Sequence, residues 1–442
     1  TLTGNAGNDI FRFLSGWGAD IVNELASGGT DTMDFSSLSV ALTFAFGVAG
    51  VTVSNGANTL TVNSNNLENF VGGSGDDQLL FTNYSTAITA SLTSIGSLDG
   101  FAGNVTGIGT FDNINRVVGS TSTTDTLTGA NLSNAWTLEV GSWKLEVGSN
   151  ALIVSAIETV NGGTGADTFT FTDGAMFNGT LNGGAGNDQL LFTNYSTARN
   201  VVLTSVGSVD GFNGTTSIIS NGFSNINTIV GSGANGDTLT GANLSNNWKF
   251  DVGSSKLEVG INTLTFSSIE TLNGGTASDT FTIADGANFN GAINGGVGDD
   301  TLTYANSTTA HTVVLTSVGI TDGFNGNADG ITNGFSNINV IIGDGLDTLN
   351  GVDSGQWIVV SGNSVTYTSG NTLSITGVET LLGGAGEDQL LFTNYFTTAN
   401  VTLTGVGAVD GFNITESNFV GTFVNMNTLV GSSAVDSLTG LN

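Results

Sequence analysis

Short runs in which apolar and polar residues alternate follow one another along the whole chain. Leu181–Phe192, LNGGAGNDQLLF, is typical, because a glycine-rich turn and an aspartate lead into a short strand with alternating apolar positions. Thr, Val, Ile, Leu and Phe dominate such segments, as expected for β-strands with one buried face. No segment has the apolar spacing of an amphipathic helix. The pattern therefore predicts an all-β protein.

The unit of one turn and one strand recurs. Close copies are Val71–Phe81, Ile293–Tyr304 and Leu381–Phe392, and looser copies follow Val160 and Leu272. A single turn and strand cannot bury an apolar face, so recurrence predicts that the copies stack on one another. We predict a right-handed parallel β-helix (a β-solenoid) of roughly 19 coils, with one coil for each unit of about 22 residues.

The aspartates that close the turns give the spacing of this array. They stand at positions 9, 31, 77, 125, 167, 188, 237, 279, 300, 347, 388 and 436, so that each step is close to one or two repeat units. We expect those from Asp77 to Asp279 to lie in one column. A longer period, visible from Asp77 to Asp188 to Asp300, divides one continuous solenoid into a divergent stretch (1–76), three super-repeats (77–187, 188–299 and the shortened 300–387) and a partial fourth (388–442). Both ends read as ordinary parts of the array, which predicts a fragment of a longer chain.

The net charge of the chain limits the kinds of molecule that it can bind. Six Lys and Arg stand against 37 Asp and Glu, for a net charge of −31. Binding to nucleic acid or to an anionic membrane surface needs basic patches, which this composition does not supply. The excess of carboxylates instead requires counter-ions, and divalent cations are the obvious candidates. The absence of cysteine excludes disulfides and thiolate metal sites.

The segments GGAGNDQLL and GGSGDDQLL resemble the calcium-binding repeat of the haemolysin-type (RTX) family, GGxGxDxUx, in which U is a large apolar residue. The wider texture is similar to the repetitive regions of giant bacterial surface adhesins. The resemblance implies a β-solenoid with Gly/Asp turns, located outside the cell or on its surface, and Ca²⁺ held between glycine loops of successive turns. It specifies the fold and the compartment better than it specifies an activity.

Two adjacent coils carry the motif at Asp167 over Asp188 and at Asp279 over Asp300, each pair being one repeat unit apart. Carboxylates stacked one coil apart, at roughly 5 Å, repel each other unless a hard cation lies between them. These four residues are therefore the first candidates for metal ligands. A weaker stacked case places Gly7 and Asp9 over Gly28 and Asp31, and the single turns provide the further candidates Asp77 and Asp388.

A structural interpretation of the turn aspartates remains open beside this one. Asp accepts backbone N–H bonds in turns, and it persists at positions 125, 237, 347 and 436 where the glycines are lost. We expect these four residues to cap the backbone.

Parallel β-helices also include polysaccharide lyases and hydrolases. The only histidine, His311, has no evident catalytic partner in the sequence, and its surroundings align with those of Arg199, which favours a structural role. Trp136, Trp248 and Trp357 occupy equivalent repeat positions and are expected in the core or at the edge of a coil rather than on a sugar-binding surface. Repeated Thr-x-Thr segments leave an ice-binding solenoid as a further alternative.

No residue is therefore assigned to catalysis. The expected function is that of a structural segment of an extracellular filament, surface fibre or giant adhesin that associates with itself and contacts, at most, a cell-surface glycan.

Overall fold

The computed structural model describes residues 1–24, 29–48, 50–62 and 67–441. These residues form 46 β-strands that pair mostly in parallel, which confirms the predicted all-β solenoid class. No helix long and apolar enough to cross a membrane occurs in them. The chain divides into two compact units, Thr1–Arg199 with Val206–Ala234 and Asn200–Ser205 with Asn235–Asn442.

The strands up to residue 230 are β1 (Leu2–Thr3), β2 (Ile10–Arg12), β3 (Ala19–Asn23), β4 (Thr32–Asp34), β5 (Thr43–Gly47), β6 (Gly50–Ser54), β7 (Thr59–Val62), β8 (Asn69–Val71), β9 (Gln78–Asn83), β10 (Thr89–Ile95), β11 (Phe101–Val105), β12 (Gly109–Ile114), β13 (Arg116–Val118), β14 (Thr126–Thr128), β15 (Ala135–Glu139), β16 (Ser142–Val147), β17 (Asn150–Ser155), β18 (Thr159–Gly163), β19 (Thr168–Thr172), β20 (Thr180–Gly184), β21 (Gln189–Asn194), β22 (Asn200–Val206), β23 (Phe212–Thr216), β24 (Ile219–Ile226) and β25 (Thr228–Val230).

The strands that follow are β26 (Thr238–Thr240), β27 (Asn247–Asp251), β28 (Ser254–Val259), β29 (Asn262–Ser267), β30 (Thr271–Gly275), β31 (Thr280–Ile283), β32 (Ala292–Gly296), β33 (Thr301–Thr303), β34 (Thr312–Val318), β35 (Phe324–Ala328), β36 (Ile331–Ile338), β37 (Val340–Asn350), β38 (Gln356–Ser361), β39 (Ser364–Ser369), β40 (Asn371–Leu382), β41 (Gln389–Leu391), β42 (Asn400–Val406), β43 (Phe412–Glu416), β44 (Thr422–Met426), β45 (Thr428–Val430) and β46 (Ser437–Thr439).

Plain coils of the predicted length occur at equivalent places in each unit. In the first unit β18 pairs in parallel with β20 and β19 with β21, and the paired residues are one repeat unit apart in the chain. In the second unit β30 pairs with β32 and β31 with β33 at the same separation. Both places are the ones where the sequence carries two stacked glycine turns. There the repeat unit describes one coil of the solenoid.

Elsewhere the coils are longer because they contain antiparallel inserts. Strands β10, β11 and β12 run up, down and up, and β15, β16 and β17 do the same. The outer strands of an insert return to parallel pairing, β12 with β8 and β10 with β14, across a longer stretch of chain than a plain coil uses. In the second unit β27–β28–β29 and β34–β35–β36 are inserts of the same kind. The longer steps between turn aspartates are thus not two plain coils.

The expectation of one aspartate column is wrong for the same reason. In the first unit Asp167 and Asp188 precede β19 and β21, which pair with each other, whereas Asp125 precedes β14, which pairs with β10 and β18. The chain therefore visits two series of parallel strands in turn. The number of residues between two aspartates gives their separation along the chain. It does not show which of the two series of strands the second aspartate precedes.

Alternation along each strand produces the core. In β21 the side chains of Leu190 and Phe192 are buried, whereas Leu191 between them is half-buried. The expected core position of Trp136, Trp248 and Trp357 is confirmed, since all three are fully buried. Trp136 lies parallel to Phe169 with ring centroids 6.1 Å apart, and Trp248 lies likewise on Phe281.

Asparagine side chains of the Asn-Gly-Gly segments bond from coil to coil outside the core. Asn182 donates from Nδ2 to Oδ1 of Asn161 at 3.2 Å, and Asn294 to Asn273 at 3.1 Å. Hydroxyl groups extend each pair, as when Ser224 donates to Asn182.

The two neighbouring leucines of β21 test the packing. Leu190→Ala removes a side chain that lies between Phe169 and Ile229 on the adjacent strands, and it should cost about 2–5 kcal/mol of stability. Leu191→Ala, on the half-buried face, should cost much less. Urea unfolding measures the loss, and amide hydrogen exchange in β19 and β25 locates it. Equal effects of the two substitutions would contradict the assigned faces.

Candidate functional site

The turn carboxylates hold adjacent coils together. Asp188 is fully buried, and its Oδ1 accepts the backbone N–H of Asp167 at 2.8 Å. The N–H of Asp188 donates in turn to Oδ1 of Asn227, one coil further, at 3.0 Å. A side chain at the entrance to one strand thus satisfies the backbone at the same position of the preceding coil.

The same cross-coil cap recurs in both units. The further pairs of aspartate and capped N–H are Asp77 with Leu42, Asp125 with Ile88, Asp167 with Asn134, Asp279 with Asn246, Asp300 with Asp279, Asp347 with His311, Asp388 with Gly355 and Asp436 with Ala399, all at 2.7 to 2.9 Å.

The capping role expected of Asp125, Asp347 and Asp436 is therefore confirmed. Asp237 is buried in an equivalent turn, and its own N–H donates to Glu270 at 2.8 Å. Asparagine and glutamate also serve as caps, and the sequence analysis missed them. Asn115, Asn227, Asn339, Asn427, Glu158 and Glu379 accept the N–H of the turn aspartate before them. The recurrent FSNIN and IET segments were the available signal.

The first glycine of each turn is explained by the carboxylate. A Cβ on Gly183 would lie 2.5 Å from Oδ2 of Asp188 and 2.2 Å from the carbonyl oxygen of Asn225. The corresponding Cβ on Gly162 would lie 2.2 Å from Oδ2 of Asp167. Any other residue would displace the buried carboxylate.

The second carboxylate oxygen of the turn aspartate is satisfied in one glycine turn and lacks a donor in others. In Asp77, Oδ2 accepts the N–H of Gly73 at 2.6 Å, so both oxygens are satisfied. In Asp167, Asp188, Asp279 and Asp300, Oδ2 is buried and has no hydrogen-bond donor among the described residues. We call such atoms open oxygens. They occur at the four positions that the sequence ranks first as metal ligands and also at Asp388, in a single turn.

A second carboxylate lies near Asp188 and near Asp300, and it was not predicted. Asp210, from the VDGF turn, accepts the N–H of Gly186 at 3.1 Å, and its Oδ1 is a further open oxygen. Asp322 does the same beside Asp300, with Gly298 as donor at 3.2 Å. Both follow their turn aspartate at the same spacing along the chain, and the repeated Asp-Gly could have revealed them.

The weaker stacked case gathers three carboxylates. Ligand oxygens of Asp9, Glu24 and Asp31 all lie within 4.8 Å of one another. Asp31 accepts the N–H of Asp9 at 2.8 Å through Oδ1, and its Oδ2 is an open oxygen. Gly28, which belonged to the predicted motif, lies outside the described residues. Glu24 was missed because it is outside the turn.

Burial makes the carboxyls of the glycine turns weak acids. It raises the pKa of Asp167 and Asp279 to about 6 and that of Asp188 and Asp300 to about 7, and repulsion from Asp167 and Asp279 adds to the shift in the second pair. The pKa of Asp77 also rises to about 7 and that of Asp388 to about 6, again mainly through desolvation. The ionised forms are thus stable only with hydrogen bonds or a cation nearby.

Comparisons with known proteins do not assign the chain to a family. No protein-family model matches it, and no curated protein matches it either.

The cap at Asp125 gives the first test of the site. Asp125→Ala leaves the buried N–H groups of Ile88 and Ser120 without their acceptors, and each should cost about 1–3 kcal/mol. Asp125→Asn keeps an acceptor oxygen and should lose less. Urea unfolding and the exchange rate of the Ile88 amide measure the difference. An Ile88 amide as protected in Asp125→Ala as in the parent would contradict the cap.

The raised pKa values give the second test. Asp188 and Asp300 hold protons in the folded protein that the unfolded chain releases above their ordinary pKa of 3.8. Their contribution to stability should therefore be complete below about pH 4 and be lost as the pH rises to about 7. Urea midpoints between pH 4 and 8, in a chelating buffer, measure this slope. Asp188→Asn with Asp300→Asn should make this slope smaller, and Asp251→Asn, at an exposed carboxylate, should leave it unchanged. A midpoint that rises with pH over this interval would refute the burial argument.

Proposed function

We propose that this chain is a non-catalytic structural segment of an extracellular filament, surface fibre or giant adhesin whose coils are stabilised by Ca²⁺. The observation that supports it is the presence of open oxygens in the glycine turns, at all four stacked positions and at Asp388. Each such coil buries carboxylates beyond those that backbone capping requires. A buried carboxylate is costly unless it is protonated or compensated by a cation.

The chemistry of the stacked turns fits calcium. Ca²⁺ takes six to eight oxygen ligands from carboxylates, backbone carbonyls and water, in flexible geometry. At one stacked turn Asp188 and Asp210 supply open oxygens, and Asp167 adds another on the preceding coil. The glycines leave backbone carbonyls accessible where side chains would otherwise stand. Asp9, Glu24 and Asp31 form the candidate with three carboxylates.

The calcium affinity expected of such sites supports the extracellular location in this proposal. Sites in extracellular modules bind Ca²⁺ with dissociation constants of about 10⁻⁴ to 10⁻³ M, so they fill only where calcium is abundant. Six basic residues against 37 acidic ones also oppose lateral packing of copies at low salt. Self-association should therefore need cations. The same residues serve stability and assembly, which suits a fibre rather than a catalyst.

Calcium titration tests this proposal. With a dissociation constant of about 10⁻⁴ to 10⁻³ M, 10 mM Ca²⁺ should add roughly 1.4 to 2.7 kcal/mol of stability for each filled site. Asp188→Asn with Asp300→Asn should remove part of the calcium uptake and of this gain. Asp77→Asn is the matched control, because both oxygens of Asp77 already accept backbone N–H bonds. Titration calorimetry and urea unfolding at pH 8 provide the two measurements.

Either of two results would overturn the proposal. Equal losses in Asp77→Asn and in the double variant would separate calcium from the open oxygens. Calcium uptake without any gain in stability would show that the ion does not have a structural role.

A further inference from the structure

One turn of the second unit carries a histidine and an aspartate at positions where the equivalent turns have neither. The residue before β34 is His311, where the corresponding positions before β10, β22 and β42 carry Ile88, Arg199 and Ala399. The residue after the first glycine of the next turn is Asp344, where the corresponding turns carry Ser120, Ser232 and Ser432. Both departures fall beside the cap Asp347.

Asp344, in place of the serine of the equivalent turns, removes a hydroxyl donor and adds a carboxylate acceptor. In the first unit Ser120 donates from Oγ to the carboxylate of Asp125 at 2.9 and 3.0 Å. Asp344 still donates its backbone N–H to Oδ2 of Asp347 at 2.9 Å, but its side chain brings a second carboxylate. Oδ2 of Asp344 is buried and finds no donor in the ranges that the structure describes. The carboxylates of Asp344 and Asp347 therefore lie together, whereas the turn of Asp125 has a single carboxylate that a serine hydroxyl hydrogen-bonds.

His311 lies at this carboxylate pair. Ligand atoms of His311, Asp344 and Asp347 all lie within 4.8 Å of one another. His311 is only 8% exposed and Asp347 2%. Nδ1 of His311 lies 3.3 Å from Oδ1 of Asp347 but makes no hydrogen bond with it, nor with any other described residue. The sequence alone did not indicate that His311 faces two carboxylates.

The other side of the ring fixes the orientation and the tautomer. Nε2 lies 3.5 Å from Oγ of Ser307, whose hydroxyl donates to the carboxylate of Asp285 and so accepts from Nε2–H. Nδ1 then carries the lone pair that faces the carboxylates. Tyr304 stacks on the ring with centroids 4.3 Å apart and planes 19° apart. A metal-bound histidine characteristically donates its second N–H to such a partner.

We propose that His311 Nδ1, Asp344 and Asp347 bind one divalent first-row transition cation, for which Zn²⁺ is the probe. One imidazole and two carboxylates, with a fourth position for water, form a set of ligands typical of zinc. Calcium prefers oxygen ligands alone, so this site differs in chemistry from the stacked turns. Glu379 caps the N–H of Asp347 at 3.0 Å and adds negative charge beside the cluster. The inference goes beyond the proposed function and does not depend on it.

The single histidine of the chain provides a selective probe. In metal-free protein, nitrogen-detected NMR should show His311 as the Nε2–H tautomer at pH 8. One equivalent of Zn²⁺ should shift the Nδ1 resonance, and calorimetry should give a stoichiometry of one for this site. Ca²⁺ at 10 mM should leave the imidazole resonances unchanged, which separates this test from the calcium proposal.

Two variants copy residues that other turns already carry. Asp344→Ser restores the serine of Ser120 and Ser432, and His311→Ala copies Ala399, so both should fold. Each should weaken zinc binding at least about tenfold, the factor that loss of even an outer partner brings. Asp251→Ser, at an exposed carboxylate, is the control and should bind as the parent does. Circular dichroism verifies the fold of each variant.

Two results would overturn the site. Imidazole resonances that do not respond to Zn²⁺ would mean that His311 is only an ion-pair partner of Asp347. Parent-like zinc affinity in a folded Asp344→Ser protein would place the metal elsewhere.

Discussion

The cap from a turn side chain to the backbone of the preceding coil is the interaction on which the rest of the structure depends. Strand pairing satisfies backbone groups inside each ladder, but the N–H at the entrance to a strand needs a partner from another source. Asp188 provides it for Asp167, and Asn227 provides it for Asp188. Because donor and acceptor lie on successive coils, the bond fixes the register of the turns as well as their hydrogen-bonding balance.

This geometry explains why the turns are rich in glycine and why they are suited to cations. A carboxylate that reaches the preceding coil must pass over the first glycine of its own turn, so a side chain there is excluded. When the turn also supplies a backbone donor, as Gly73 does for Asp77, the second oxygen is satisfied. Where that donor is missing within the described residues, as for Asp167, Asp188 and Asp388, the second oxygen stays open and negative charge accumulates. Burial then favours the protonated form, so that the pKa of Asp167 rises to about 6 and that of Asp188 to about 7.

The sequence predicted strands, turns and stacking well because alternation and turn chemistry are local properties. It also identified the carboxylates that carry open oxygens, since stacking requires only that two motifs lie one coil apart. The antiparallel inserts were not predicted, because β15, β16 and β17 alternate like any other strands, and pairing direction depends on contacts distant in sequence. For the same reason the aspartates of two strand series were taken for one column. Glu24 and Asp210 were missed because they reach the turns from neighbouring segments.

A repeat protein distributes its structural roles evenly, so a residue that replaces a constant one, as Asp344 replaces serine, carries information that a regular position does not. Asp347 alone would be one more cap, since Asp125 and Asp436 make the same bond. Asp344 alone would be an unfavourable second charge, and His311 alone would be a buried polar ring in a place that tolerates isoleucine. Each of the three groups is unfavourable alone, but together they form one set of ligands, because a cation satisfies both carboxylates and the lone pair of Nδ1 at once. The regular caps hold the coils of the solenoid together. Substitutions beside one cap, such as His311 and Asp344 beside Asp347, can therefore add a further function without loss of the fold.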